Sequence, residues 1–217
     1  MKMLELFCGT KNISKVFKSS GHEVFTVDSN PDHNPDMCCD ILSLCLSQLP
    51  WKPDVIWASP PCTTFSVASM GHHWTGGNRA YIPRTKEAII GMRLMAKTKG
   101  IILGFMPKLW WIENPRGVMR KVIRLEKFQH TITYCQYGDK RMKPTDIWTN
   151  ADWTPRPMCK NGDHCHESAP RGARTGTQGL KGAIERGVIP VELCREVLAV
   201  CENAICPTLK IDIDNAL

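Results

Sequence analysis

The sequence predicts a doubly wound α/β domain with a small inserted segment. Apolar runs at residues 3–8, 24–27 and 55–58 have the length and composition of short buried strands. Residues 12–19 and 85–105 place apolar side chains on one face, as helices do, and a glycine turn joins the first strand to the first helix. We expect a main domain at residues 1–150, an insert at 151–186, and a C-terminal helix at 187–217 that packs back on the main domain.

Length and composition indicate an ordinary globular protein. A chain of 217 residues can bury a sizeable core, and a net charge of +7 is a modest basic excess that only hints at a polyanionic partner. No apolar run approaches the roughly 20 residues of a membrane span, and the first residues do not form a secretory signal. The 11 cysteines favour reduced thiols over a disulfide framework. We therefore expect a soluble, cytoplasmic monomer without membrane association.

The first strand, turn and helix predict a site for a nucleotide-like ligand. Gly9 and Thr10 form a tight turn just before the helix, where free backbone N–H groups and the helix dipole face a ligand. Asp28 ends the second strand and is placed to accept hydrogen bonds from a ribose diol. Asp40 follows the next apolar residues. Alternatively, both carboxylates cap turns, and Phe7 is an ordinary core residue.

The run at residues 55–58 predicts a candidate nucleophile at its end. Pro60 and Pro61 cannot continue a strand or a helix, which leaves Cys62 at the carboxyl end of a buried strand, where reacting groups lie in α/β sheets. A small buried hydrophobe is the alternative for any cysteine. The rigid lead-in and the glycine-rich loop at residues 66–84 favour the nucleophile, and the loop is interpreted as a lid or as a surface turn.

Two later segments carry further candidate groups. Glu113 follows a Trp-Trp-Ile run, which indicates a partly buried carboxylate, although a solvated turn is the alternative. A strand predicted at residues 131–136 leads to a turn with Arg141 and Lys143, which alternation would send to the same side. The alternative for this basic pair is a solvated surface.

Residues 151–186 form a loop-rich insert with few apolar side chains. Four of its residues could bind zinc, although their spacing is not the usual pair of cysteines two residues apart, and we assign no metal: Cys159, His164, Cys165 and His166. Four basic residues among small polar ones are suited to DNA phosphates: Arg171, Arg174, Lys181 and Arg186. Residues 191–204 then form an amphipathic helix that begins after Pro190.

Four motifs, in order, resemble those of the DNA cytosine-5 methyltransferases. These are residues 5–10 (Glu-Leu-Phe-Cys-Gly-Thr), Pro61-Cys62 with Phe65-Ser66, Glu113-Asn114-Pro115, and Tyr137-Gly138 followed by residues 140–143 (Lys-Arg-Met-Lys). The resemblance covers about two thirds of the chain and fails over residues 152–186, the segment that would then recognise the target.

The resemblance implies a Rossmann-like fold that binds S-adenosylmethionine and methylates cytosine C5 in DNA. The implied cofactor residues are Phe7, Gly9, Thr10, Lys11, Asp28, Asp40, Ile41 and Pro61. The implied catalytic residues are Cys62 as the nucleophile at cytosine C6, Glu113 at N3 and the exocyclic amine, and Arg141 at O2 with Lys143 beside it. A cationic group such as Arg141 would also favour the thiolate form of Cys62. The cytosine would be flipped out of the duplex.

Departures from the family pattern permit different functions. Lys11 stands where a second glycine is usual, and its charge suggests that the pocket could accept carboxy-S-adenosylmethionine. The alternative is a lysine that points to solvent with its stem along the helix. The Tyr137 motif is shortened, Lys143 replaces the commoner Arg, and the last motif, near Gly187, lacks its usual Asn. The sequence is also compatible with the same chemistry on RNA and with a non-catalytic DNA-binding relic of the fold.

Overall fold

The computed structural model describes residues 1–77, 80–160, 162–167 and 182–207. The strands are β1 Lys2–Leu6, β2 Glu23–Asp28, β3 Met37–Cys38, β4 Val55–Ala58, β5 Trp74–Thr75, β6 Ile82–Pro83, β7 Leu109–Pro115, β8 Gln129–Thr133 and β9 Pro144–Thr149. The helices are α1 Asn12–Ser19, α2 Met70–His73, α3 Lys86–Phe105, α4 Met119–Val122, α5 Ala183–Gly187 and α6 Val191–Ile205.

Seven of the described strands form one sheet in the order β3-β2-β1-β4-β7-β9-β8. The strands β3, β2, β1, β4 and β7 are parallel to one another, whereas β9 runs antiparallel to both β7 and β8. The chain order reverses between β1 and β4. In open α/β sheets, ligands bind beyond the carboxyl ends of the strands at such a reversal.

Both faces of the sheet are buried, because alternate residues of each strand point to opposite sides. Met3 and Trp57 lie in a cluster with residues of α1 and α6, including Phe17. Leu4 and Ile56 lie in the opposite cluster, with residues of α3. Helices therefore cover both faces, and the predicted doubly wound, Rossmann-like α/β fold is confirmed. The division into three domains stays a prediction.

The helix predicted at residues 85–105, which is α3, begins almost where the sequence indicated. Thr85 is its N-cap, and the hydroxyl accepts a hydrogen bond from the backbone N–H of Ala88 at 3.2 Å. The helix ends at Phe105, and the C-cap residue Met106 adopts the left-handed conformation. Its length is 20 residues, yet no helix in the part of the chain that the structure describes is long and apolar enough to span a bilayer.

The strand predicted at residues 131–136 lies two to three residues earlier, as β8, and ends at Thr133. A 3-10 turn, Tyr134–Tyr137, follows, because the backbone N–H of Tyr134 donates to the carbonyl of Met142 at 2.9 Å and folds the chain back. The loop at residues 66–84 also contains regular structure, with α2 and the hairpin β5–β6. Trp74 is buried there and packs against Phe65, with ring centroids 5.7 Å apart.

Candidate active site

The turn after β1 has an unusual backbone for its sequence. Phe7, Gly9 and Lys11 have φ angles of 59°, 45° and 58°, in the left-handed region that favours glycine. The backbone N–H of Lys11 donates to the carbonyl of Cys8 at 2.7 Å, which closes the turn at the start of α1. The Lys11 ammonium donates to the backbone carbonyl of Asn34, in the loop after β2. Lys11 therefore does not extend freely into solvent, as a lysine at a helix end usually does.

Asp28 connects the end of β2 to this turn. Its carboxylate is 8% exposed and accepts the backbone N–H of Gly9 at 3.0 Å through one oxygen and that of Asn30 at 2.9 Å through the other. His33 Nδ1 lies 3.2 Å from the first oxygen. Each carboxylate oxygen can accept a second hydrogen bond, so Asp28 keeps capacity for a ligand.

Asp40 lies farther along the same edge of the sheet. It is exposed, and one of its oxygens accepts the backbone N–H of Leu42 at 2.9 Å at the start of a 3-10 turn. Ile41, the next residue, is buried. Each of the two aspartates therefore caps a turn with part of its carboxylate, and each keeps some capacity to accept hydrogen bonds from a ligand.

Cys62 lies beyond the carboxyl end of β4, as predicted. Asn114, at the end of the neighbouring β7, donates through its side-chain amide to the carbonyl of Pro60 at 2.7 Å. The Cys62 carbonyl accepts the backbone N–H groups of Phe65 and Ser66, each at 3.0 Å. The chain on both sides of the cysteine is thus held by hydrogen bonds, while Cys62 and Pro61 are exposed. A buried core role for Cys62 is therefore wrong.

Surrounding protein sets the acidity of this thiol. Although Cys62 is reached by solvent, desolvation raises its pKa, and the negative charge of Glu113 acts in the same direction. Lys143 and Arg186 lower the pKa in opposition, but the net shift is upward. The cations with the largest effect on this thiol are Lys143 and Arg186, and the expected effect of Arg141 stays a prediction. In the protein alone, the thiol is mainly protonated at neutral pH.

Glu113 is buried at the end of β7, with 6% of its surface exposed. The Tyr134 hydroxyl donates to its Oε1 atom at 2.9 Å, and among the described residues no hydrogen bond reaches Oε2. Burial and the charge of Glu113 raise the pKa of Tyr134 well above its usual value, so this phenol stays a donor. The carboxylate therefore presents one fixed and one available oxygen.

Lys143 is the basic residue that faces the cysteine and the glutamate. Its ammonium donates to the carbonyl of Arg186 at 2.9 Å and lies 4.4 Å from the centroid of the Tyr134 ring. Burial lowers its pKa, whereas the charges of Glu113 and Cys62 raise it in partial compensation. Its φ angle of 25° is unusual for a side chain of this size, which indicates that the surrounding loop determines its position.

Arg141 and Lys143 both donate to the carbonyl of Arg186, at 3.4 Å and 2.9 Å, so the two side chains lie next to each other, as predicted. The Nε–H group of Arg141 donates to both carboxylate oxygens of Asp139, at 2.8 Å and 3.0 Å, and one terminal nitrogen also donates to this carboxylate, in a forked ion pair. The remaining donors bind the carbonyls of Glu185, Arg186 and Val188. Arg141 is 6% exposed, and its hydrogen bonds with Asp139 raise its already high pKa. The contact of Arg141 with a bound base stays a prediction, and in this conformation Asp139 and three backbone carbonyls occupy the guanidinium.

Three residues of this site were not predicted from the sequence: Asn114, Tyr134 and Asp139. Asn114 belongs to the recognised Glu-Asn-Pro motif, so its position could have been used. Asp139 precedes Arg141 by two residues, a spacing that permits a local ion pair. Tyr134 offered no signal, because its contact with Glu113 is formed only when β9 lies between β7 and β8. Of the predicted phosphate contacts, Arg171, Arg174 and Lys181 lie outside the described residues.

The chain is similar to two curated proteins, and no family model matches it. It is 28% identical, over 93% of its length, to a probable DNA (cytosine-5)-methyltransferase of Frog virus 3 (isolate Goorha), and it spans 100% of that protein. It is 24% identical to the type II methyltransferase M.AgeI of Thalassovita gelatinovora, over 64% of this chain and 36% of the relative. Among solved structures, the methyltransferase EhMeth of Entamoeba histolytica aligns with a TM-score of 0.49 and 13% identity, over 69% of this chain and 52% of its own.

Proposed function

We propose that this chain, a member of the DNA (cytosine-5)-methyltransferase family, transfers a methyl group from S-adenosylmethionine to C5 of a flipped-out cytosine in DNA. One observation carries the proposal. The parallel neighbours β4 and β7 end side by side, with Ala58 opposite Ile112, and they deliver an exposed cysteine and a buried glutamate to the same edge of the sheet. The turn after β1 lies next to them, at the reversal of the strand order.

The residues suit the chemistry of cytosine methylation. C5 of cytosine is a weak nucleophile, and addition of a thiolate at C6 converts the ring into an enamine-like species whose C5 can attack an electrophile. S-adenosylmethionine, when bound, supplies that electrophile as a sulfonium methyl group. A base then removes the C5 proton, and expulsion of the Cys62 thiolate restores the aromatic ring.

Glu113 is the acid–base group in this scheme. Its available Oε2 atom would bind cytosine N3 and the exocyclic amine, while Tyr134 holds Oε1. A proton shared with N3 neutralises the charge that the ring gains when the thiolate adds. This contact also withdraws negative charge from the neighbourhood of Cys62. Binding of the base would therefore lower the pKa of the thiol, because Glu113 raises it in the free protein.

Lys143, rather than Arg141, would bind the O2 side of the base. It is a half-buried cation whose charge acts on both Cys62 and Glu113. Arg141 is then a positioning residue. It forms an ion pair with Asp139 and hydrogen bonds with backbone carbonyls of residues 185–188, and these contacts join the loop that carries Lys143 to the start of the C-terminal region.

The cofactor residues fit S-adenosylmethionine. The first turn of α1 offers backbone N–H groups to an amino-acid carboxylate, and Asp28 and Asp40 keep acceptor oxygens for a ribose diol and an adenine amine. Thr10 and Phe7 complete the turn, and Ile41 provides a buried apolar contact. The Lys11 ammonium is bound by the Asn34 carbonyl, so no contact among the described residues favours carboxy-S-adenosylmethionine.

DNA is the substrate that the observations favour over RNA. The frog virus relative is named for DNA, and the segment that follows Cys62 contributes Val67 to a cleft that Arg116 and Lys121 also line. Both basic residues are exposed and could bind phosphates on either side of a displaced base.

The test is transfer of tritium from labelled S-adenosylmethionine to duplex DNA, single-stranded DNA and transfer RNA. We expect incorporation into duplex DNA, loss of it in Cys62→Ser, and retention in Cys206→Ser, a matched change at another exposed cysteine. Nucleoside mass spectrometry should identify 5-methylcytosine. Incorporation into transfer RNA alone would favour an RNA methyltransferase, and no incorporation together with DNA binding would favour the non-catalytic relic.

A further inference from the structure

Three cysteines and a histidine converge behind the candidate active site. Cys135 lies in the 3-10 turn after β8, whereas Cys159, Cys165 and His166 lie in the segment that follows β9. One ligand atom from each residue lies within 4.8 Å of all the others. Cys135 is 24 residues from Cys159 in the sequence, so this group is assembled by the fold rather than by a local motif.

The distances within the group are close to those of a tetrahedral metal site. A zinc ion with Zn–S bonds of about 2.3 Å and Zn–N bonds of about 2.0–2.1 Å holds two sulfurs about 3.8 Å apart, and a sulfur and a nitrogen about 3.6 Å apart. Cys135 Sγ and Cys165 Sγ are 3.6 Å apart, and His166 Nδ1 lies 3.7 Å from Cys159 Sγ and 3.6 Å from Cys165 Sγ.

One pair is closer than the others. Cys135 Sγ and Cys159 Sγ are 3.1 Å apart, so they would separate by roughly 0.7 Å around a zinc ion, or approach by about 1 Å to form a disulfide. A disulfide would use only these two residues. It would leave unexplained why Cys165 and His166 Nδ1 also lie in contact with them.

The surroundings of the group orient its members. Cys135 and Cys159 are buried, and the backbone N–H of Cys159 donates to the Thr133 hydroxyl at 3.0 Å. Gln136 donates to Cys165 Sγ at 3.4 Å, as polar groups next to metal-bound thiolates commonly do. The His166 Nε2 atom is buried without a hydrogen-bond partner in the described parts of the chain, so the polar contacts of this ring lie on the Nδ1 side, towards the thiols.

We propose that Cys135, Cys159, Cys165 and His166 bind a structural zinc ion. Three thiolates and one imidazole form a closed tetrahedral set with no position left for water, which distinguishes a structural from a catalytic zinc site. Each cysteine releases its proton to solvent when the metal binds. The prediction of no metal rested on the spacing of the later residues alone and did not include Cys135.

The zinc ion would join the segment after β9 to the turn that supports the active site. Cys135 adjoins Tyr134, whose hydroxyl binds Glu113 and whose backbone binds Met142 in the loop before Lys143. A metal bond at Cys135 would therefore limit the movement of Tyr134 and of that loop. The zinc ion itself takes no part in the reaction, and its binding does not depend on the proposed methyl transfer.

The experiment is measurement of bound zinc by mass spectrometry of the metal, after purification of the full chain under reducing conditions without chelators. We expect about one zinc per chain in the wild type, less than a tenth of that in Cys135→Ser and Cys159→Ser, and an unchanged content in Cys206→Ser. His166→Cys should retain zinc, because four thiolates also bind it tetrahedrally.

A second measurement uses only the wild-type protein, so that the proposal can be tested even if the variants do not fold. Wild-type protein freed of metal by a chelator is titrated with zinc, and the melting temperature is followed. We expect an upward shift that saturates at one equivalent and is absent for magnesium. Wild-type protein that is folded, fully reduced and free of zinc after the titration would overturn the proposal. So would the loss of two titratable thiols with no metal bound, which would indicate a disulfide between Cys135 and Cys159.

Discussion

Glu5 should make the stability of the protein depend on pH near neutrality. This residue lies in the middle of β1 with 2% of its surface exposed, and its Oε2 atom accepts both the backbone N–H of Ser14, at 3.2 Å, and the Ser14 hydroxyl. Desolvation raises the pKa of Glu5 from 4.5 to about 7, although the Ser14 hydrogen bonds and the charge of Lys11 oppose the shift.

The raised pKa fixes the direction of the effect. Below pH 4.5, Glu5 is protonated in both folded and unfolded chains. Between that value and about pH 7, the folded chain keeps a proton that the unfolded chain releases, so the free energy of unfolding falls as the pH rises. Above about pH 7 both forms are ionised and the loss is complete, at about 3 kcal/mol for a difference between pKa values of 4.5 and about 7.

The variant Glu5→Gln removes this titration and keeps an oxygen for Ser14. A buried amide nitrogen without a hydrogen-bond acceptor would lower the free energy of unfolding by about 1–3 kcal/mol at every pH. The informative quantity is therefore how the difference in unfolding free energy between variant and wild type changes with pH. From about pH 5.5 to about pH 8, the unfolding free energy of the variant should rise relative to the wild type by about 2 kcal/mol.

The assay is urea unfolding of both proteins at several pH values, with Glu23→Gln as a control at an exposed glutamate on the neighbouring strand. Titrations of all other groups cancel in the difference between variant and wild type. A difference that stays constant across this range would mean that Glu5 does not titrate there and that its burial does not raise its pKa.

Two further variants test the turn after β1 and the support of Glu113. Lys11→Gly should raise the unfolding free energy by roughly 1 kcal/mol, because it relieves a left-handed backbone, whereas the control Lys15→Gly, inside α1, should lower it by a similar amount. A loss of stability in Lys11→Gly would show that the contact with Asn34 outweighs the strain. Tyr134→Phe removes the donor to Glu113 and should lower turnover roughly 10- to 100-fold in the tritium assay, with cofactor affinity preserved. Unchanged turnover would mean that Tyr134 does not orient the glutamate.

The parallel part of the sheet could be predicted from the sequence. The strands β1, β2 and β4 are short apolar runs that end at polar or proline residues, and burial on both faces makes such runs continuous. The same rule locates Asp28, Cys62 and Glu113 at the ends of successive strands, and their positions at that edge are confirmed. Their chemical roles stay predictions.

The antiparallel end of the sheet could not be predicted in the same way. The turn at Tyr134 replaces three residues of the predicted strand, because the backbone bond to Met142 and the contacts of Cys135 with Cys159 and Cys165 form only in the folded chain. The different partners of Arg141 and Lys143 have a similar cause. Alternation describes strands, but both residues lie in a loop. Asp139 binds the Arg141 guanidinium there, and Lys143, which has a positive φ angle, lies over the Tyr134 ring.

Attack of Cys62 on cytosine C6 is the step on which the proposed mechanism depends, and a covalent trap tests it. In duplex DNA that contains 5-fluoro-2′-deoxycytidine, the fluorine at C5 cannot leave as a proton does, so elimination of the thiolate is blocked after methyl transfer. With S-adenosylmethionine present, we expect a complex that survives denaturing electrophoresis and carries the base on the Cys62 peptide, and none with Cys62→Ser. Methylation of ordinary DNA without a trapped complex, or a trapped complex on another cysteine, would contradict the mechanism.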